Sequence, residues 1–250
     1  MVQDPIRVAG FDAARKPKRF YSKPGLTPCE GGFALTLDGR VAKTPAKAPL
    51  VLPTREAAEA LAAEWAGQED EIDFAAMPIT RIANAAIDAV ASKRQEVAQE
   101  IVGYAETDLV CYRAEGPEKL VKAEAEAWDP VLAFAAARLG ARFICSEGIT
   151  HVEQPRSAVA AVRAKVEEIA RAAPVALACL SVMTSLTGSV LIALALAEGA
   201  ISLEEAWRAA HVDEDYQIAF WGADPEAVAR RERRFAEMAA AERLWRLTSA

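Results

Sequence analysis

Phe33-Ala-Leu-Thr-Leu-Asp-Gly-Arg-Val-Ala-Lys-Thr44 reads as two strands joined by a tight turn. Phe33, Leu35 and Leu37 alternate with smaller residues, which is the period of a half-buried strand. Asp38-Gly39 is the two-residue signal of a hairpin, because both positions tolerate the positive φ that a type I′ turn needs. Moving outward, Leu50-Val-Leu52 predicts another strand closed by Pro53, and Arg19-Phe-Tyr21 an earlier one. Thr54 is placed as the N-cap of a helix that continues through Trp65 and Gln68. The first 75 residues therefore predict a small β-rich unit.

The pattern changes near Phe74 to Pro78. Pro78 suits a first helical position, and Ile79, Ile82, Ala83, Ala86 and Ile87 fall on one helical face. A second helix is expected near Ser92 to Tyr104, and another from Gly116-Pro117 to Trp128. Asp129-Pro130 is taken as an N-cap followed by Pro at N1, with Gly140 as the stop. Arg142-Phe-Ile-Cys145 predicts a short strand or extended crossing. Ser157 to Ala172 is amphipathic. Ser202-Leu-Glu-Glu205 forms a capping box that opens a helix toward Trp221, and Asp224-Pro225 opens a last helix ending near Trp245. The predicted fold class is α+β, with a β-rich domain over residues 1–75 and a helical domain over 76–250.

No charge occurs from residue 172 to 197, longer than the ~20 residues that cross a bilayer. The stretch also contains Pro174, Ser181, Thr184, Ser185, Thr187, Gly188 and Ser189. It is flanked by neither an aromatic belt nor a basic stop on its C-terminal side. A buried central helix, bent near Gly188, is the better reading, because a helix apolar all round belongs at the centre of a helical domain. A membrane protein built on this stretch is the rival reading.

The 250 residues carry a net charge of -7, so a phosphate backbone would be repelled and nucleic acid is not an expected partner. Arg15, Lys16, Lys18 and Arg19 break the trend and read as a solvated leader. Cys29, Cys111, Cys145 and Cys179 show no metal-ligand spacing. The last three lie in apolar surroundings, which predicts buried, reduced thiols. Met1-Val-Gln-Asp-Pro has neither the apolar run of a secretory signal nor the character of a transit peptide, so a cytoplasmic location is expected.

Catalytic signatures are missing from the sequence. No phosphate-binding glycine loop, no nucleophile elbow and no His-Glu-x-x-His is present. His151 and His211 are the sole histidines. Thr187-Gly188-Ser189 reads as packing, since an uncharged helix offers nothing to activate a hydroxyl. No cofactor or metal is expected. Paired carboxylates could still serve a hydrolase, and that is the alternative function.

Val212-Asp-Glu-Asp-Tyr-Gln-Ile-Ala-Phe-Trp-Gly222 differs from its Ala-rich surroundings. Asp213, Gln217 and Trp221 stack at i, i+4 and i+8 on a helix, with Glu214 beside them. Val212, Tyr216 and Phe220 form the adjoining stripe. An aromatic anchor beside acids and an amide suits a protein interface able to recognise Arg or Lys. The competing reading is a solvated acidic face over a core of Tyr216 and Phe220.

Several segments carry a family resemblance: Arg19-Phe-Tyr21, Leu35 through Pro45, Pro78 through Asn84, Glu106 through Arg113, Trp128-Asp-Pro130, Leu186 through Ser189, and Asp213 through Gly222. Taken in order, they resemble the assembly chaperones for the soluble catalytic head of F-type ATP synthase, specifically the one that receives the alpha subunit. The resemblance implies a bacterial, non-enzymatic protein with a small β domain and a larger helical domain, and a monomer is expected because nothing in the sequence demands an oligomer. It also implies a functionally essential acid within Asp213-Glu214-Asp215, placed here on Glu214. Asp213, Glu214, Gln217 and Trp221 are thus the expected partner-binding residues, and the alpha subunit is the expected partner.

Overall fold

The computed structural model describes residues 16–148 and 150–248. Strands β1 (Pro24–Cys29) and β2 (Gly32–Leu37) form an antiparallel hairpin, with Pro24 opposite Leu37 and Cys29 opposite Gly32. Gly32 has φ 134°, and a Cβ there would lie 2.1 Å from the Leu52 carbonyl oxygen, so no other residue fits. Asp38 and Gly39 turn the chain with φ of 48° and 79°, as the hairpin signal predicted. β3 (Arg40–Val41) and β4 (Val51–Leu52) both pair with β2. β2 is therefore the inner strand, and Ala34 through Leu37 are all buried rather than alternating.

Arg19-Phe-Tyr21 is not a strand, contrary to expectation. Lys18 forms an isolated bridge with Glu71, and the Arg19 N–H donates to the Asp70 carbonyl at 2.8 Å. The Arg19 guanidinium donates to the carbonyls of Tyr21, Ser22 and Gln68, which holds this segment as a strap across the end of α1 (Arg55–Ala66). The strand before β2 begins three residues after Tyr21, at Pro24. Of the expected basic leader, Lys16 is paired with Asp73 at 2.8 Å, and Arg15 lies outside the described residues.

Thr54 caps α1 as predicted, accepting from the Ala57 N–H at 3.2 Å. Its hydroxyl also donates to the Leu247 carbonyl at 2.6 Å, tying the start of α1 to the end of the chain. α2 (Pro78–Asp88) starts at Pro78. Its first N–H groups are satisfied by Glu64 of α1, whose carboxylate accepts from Ile79 at 2.7 Å and Thr80 at 2.8 Å. α3 (Arg94–Gly103) follows, then β5 (Tyr112–Arg113).

α4 (Glu118–Phe134) runs through Asp129-Pro130 instead of starting there. Pro130 and Glu126 are both exposed, so the Glu126 carbonyl left without a helical donor faces water, where a missing N–H is tolerated. Asp129 bonds Arg113 at 2.8 Å rather than capping a helix. Gly140 stops the element in the left-handed conformation, φ 68°, as expected. Arg142–Cys145 is unpaired, and the next two residues form β6 (Ser146–Glu147), parallel to β5. Cys145 lies on this surface connector and is exposed, not buried; Cys111 and Cys179 are buried and Cys29 is exposed.

α5 (Arg156–Ala172) precedes the uncharged stretch, which is two helices, α6 (Pro174–Thr187) and α7 (Val190–Ala197). Gly188, φ 68°, ends α6, and Ser189 caps α7 by accepting from the Ile192 N–H at 3.0 Å. The break is complete where a bend was predicted. No described helix is long and apolar enough to cross a membrane. α6 packs among α2, α3, α5 and α10 (Pro225–Thr248). The buried side chains form one continuous core from Tyr21 to Trp245.

Candidate functional site

The Ser202–Glu205 capping box opens α8 (Leu203–Ala210), and both of its reciprocal hydrogen bonds are present. The helix does not reach Trp221. It stops at His211, and α9 (Val212–Trp221) follows as a separate helix. His211 explains the break. Its ring lies 4.0 Å from that of Trp207, and its Nδ1–H donates to the Trp207 carbonyl at 2.8 Å. Burial, aided by Arg231 and Arg234, pushes the imidazole below its ordinary pKa and so favours the neutral ring.

α9 gains little from burial: Val212 is its buried residue. Asp213, Glu214 and Asp215 occupy its first turn, where acids offset the partial positive charge of the helix N-terminus. Asp215 pairs with Arg231 of α10. Phe220 is 63% exposed and Trp221 88% exposed, and Gly222 ends the helix. The expectation of a core made by Tyr216 and Phe220 is not met: Tyr216 is half-buried and stacks at 5.0 Å on an exposed Phe220.

An open groove of about 890 Å³ lies between α8, α9 and α10. Trp207, Ile218, Val228 and Phe235 give it apolar walls, and Trp221 stands at its edge. Glu204, Glu214, Asp224 and Glu232 rim it, together with Arg208 and Arg231. Among the four predicted residues, Glu214, Gln217 and Trp221 come together here. Asp213 points to the other flank of α9, beside Glu124 of α4. Glu124 is 2% exposed and accepts from the Ala114 N–H at 2.8 Å; burial first, then Asp213, raises its pKa. The reading of the sequence missed the α10 wall. Val228, Arg231 and Phe235 fall at i, i+3 and i+7, a spacing that marks one helical face.

Asp108 was also overlooked. Its carboxylate is fully buried and accepts from the N–H groups of Leu191 at 3.1 Å and Val110 at 3.3 Å. It also bonds the Ser189 side chain. Burial raises its pKa to about 6. A charged group does therefore adjoin Thr187-Gly188-Ser189, contrary to the sequence reading. The packing role of that tripeptide still holds, because Asp108 is saturated by donors and sealed from solvent. Among the described residues, no three His, Cys, Asp or Glu side chains converge as a metal-holding group.

A family model described as ATP12 chaperone protein matches residues 18–136. The groove lies beyond that stretch, but two solved proteins extend across it. A candidate chaperone from Agrobacterium tumefaciens is 47% identical with a TM-score of 0.88, covering 92% of this chain and 86% of its own. Atp12 from Paracoccus denitrificans is 40% identical with a TM-score of 0.86, covering 93% of this chain and 98% of its own. A mutant form of the Paracoccus protein superposes with a TM-score of 0.85. The fold is shared with these solved chaperone proteins. This chain belongs to the ATP12 chaperone family.

Proposed function

We propose that this protein is a non-enzymatic assembly chaperone that holds the unassembled alpha subunit of F-type ATP synthase. In this reading it acts as a monomer in the bacterial cytoplasm and needs no cofactor. The observation that carries the reading is α9, which presents Phe220 and Trp221 to solvent beside three acids while the adjacent core is complete. A ring subunit exposes apolar interfaces until its neighbours arrive, and those surfaces aggregate. A few aromatic anchors with acidic steering give fast encounter and permit release. Glu214, Gln217 and Trp221 form the contact, with Glu214 as its key acid, and Asp213 flanks it on the other side of α9 against Glu124. The hydrolase alternative is disfavoured because the three raised carboxylates, Glu64, Asp108 and Glu124, are each held by backbone N–H donors and none lines the groove.

Glu214→Lys should weaken alpha-subunit binding by about 2–5 kcal/mol, as expected when attraction at a charge pair becomes repulsion. Folding stability should move by no more than about 0.5 kcal/mol, as for other solvated surface acids. Glu118→Lys is the control, an acid in the first turn of α4 that does not line the groove. Equal subunit binding by the two variants in a titration would sink the assignment. The division at residues 75 and 76 belongs to the same proposal, with the client contact on the helical domain. A fragment of residues 76–250 should melt cooperatively, at a lower temperature than the full chain because Glu64 no longer caps α2. A broad, non-cooperative melt would end the two-domain reading.

A further inference from the structure

We propose that the groove between α8, α9 and α10 receives a short apolar client segment flanked by Lys or Arg. Trp221 would fold over that segment once it is bound. The inference rests on the chaperone reading above and extends it from a face of α9 to a three-helix receptor.

Four observations converge on this occupant. The walls are apolar and come from three different helices: Trp207 from α8, Ile218 from α9, and Val228 and Phe235 from α10. A volume of about 890 Å³ is within the range that encloses a drug-sized ligand, so it has room for a few side chains but not for a whole subunit face. The charge at the rim is unbalanced. Glu204, Glu214, Asp224 and Glu232 face Arg208 and Arg231, and Arg231 is already paired with Asp215. An apolar guest entering such a rim gains most if cations flank it, because low-dielectric walls focus the field of the acids. Finally, Trp221 stands 88% exposed at the edge, the least buried large hydrophobic among the described residues. An exposed ring beside an apolar trough marks a site that a partner covers.

Trp221 also supplies the readout. The other four tryptophans, Trp65, Trp128, Trp207 and Trp245, are buried. A shift of the red-emitting component therefore reports Trp221, and Trp221→Phe removes it. The probes are two synthetic amphipathic peptides, one of Leu and Lys and one of Leu and Glu. The full chain should bind the Leu/Lys peptide with a blue shift and should ignore the Leu/Glu peptide. Ala227→Phe, which fills the groove from α10 without adding a tryptophan, should weaken Leu/Lys binding at least tenfold. Val228→Lys, which places a cation on the rim, should do the same and guards against misfolding of the first variant. The Leu/Lys peptide should also compete with the alpha subunit.

Equal binding of both peptides, or undiminished binding by both variants, overturns the groove. So does a blue shift that appears without peptide as protein concentration rises and that Ala227→Phe abolishes, since the occupant would then be a second copy. If the subunit binds but neither competes with the peptide nor loses affinity to Ala227→Phe, the groove assignment falls and the chaperone reading stands. If the peptide binds as expected but the subunit does not bind at all, the groove stands and the alpha-subunit reading falls.

Discussion

α7 and α9 are both short helices, of 8 and 10 residues, and each follows a break that divides what the sequence suggested was one element. They are stabilised in opposite ways. Every residue of α7 from Val190 to Leu196 is buried, and its N-terminus is capped by Ser189 and by Asp108 from a distant loop. α9 buries Val212, and its start is stabilised by Asp213, Glu214 and Asp215 against the helix dipole. One helix has its apolar surface fully used inside the chain. The other leaves Phe220 and Trp221 free, and that unused surface is what a binding partner can take up.

Leu191→Ala should break this contrast hardest. Leu191 is fully buried, so the lost methylenes and the cavity left behind should cost about 2–5 kcal/mol in a denaturant titration. A loss under about 1 kcal/mol would mean that the centre of the helical part is loosely packed.

The next effect depends on pH. Asp108 has an ordinary pKa of 3.8, raised to about 6 in the fold, so its charged form is the one the fold penalises. That penalty is fully present above pH 6. As pH falls from 6 toward 4 the folded chain takes up a proton that the unfolded chain does not, and stability rises. Relative to Asp108→Asn, the natural chain should gain at most about 1.4 kcal/mol per pH unit across that window. Parallel stability profiles for the two proteins between pH 7 and 4.5 would refute the buried charge.

The smallest effect on folding belongs to Trp221→Ala. An 88% exposed ring contributes almost nothing to the fold, so stability should change by no more than about 0.5 kcal/mol. Client binding should nevertheless fall, as it does when an aromatic anchor is removed. A clear drop in melting temperature would make Trp221 a packing residue and bring α9 closer to α7 in kind.

The elements found correctly were those with a local physical cause. Asp38-Gly39, the Thr54 cap, Pro78, Gly140 and the Ser202–Glu205 box each act within a few residues. The misreadings arose where a partner is distant. Arg19 was read as strand because its neighbours are aromatic, but its backbone and guanidinium are claimed by the turn after α1. Asp129-Pro130 has the form of a helix start, yet its Asp is held by Arg113 and its Pro sits on a wet face.

The sequence by itself determined the α+β class, the hairpin and the buried apolar centre, because alternation, helical period and caps are short-range properties, and its ordered segments carried the family resemblance. It also marked Glu214, Gln217 and Trp221 as unusual. The tertiary structure decided what those residues face. α8 ends at His211, which packs on Trp207, and the separate helix α9 sets Asp213 beside Glu124 and Glu214, Gln217 and Trp221 at the groove with Val228, Arg231 and Phe235. A groove belongs to no single helix. Its walls come from segments separated along the chain, and their packing angle is set by side chains that no local pattern relates to one another.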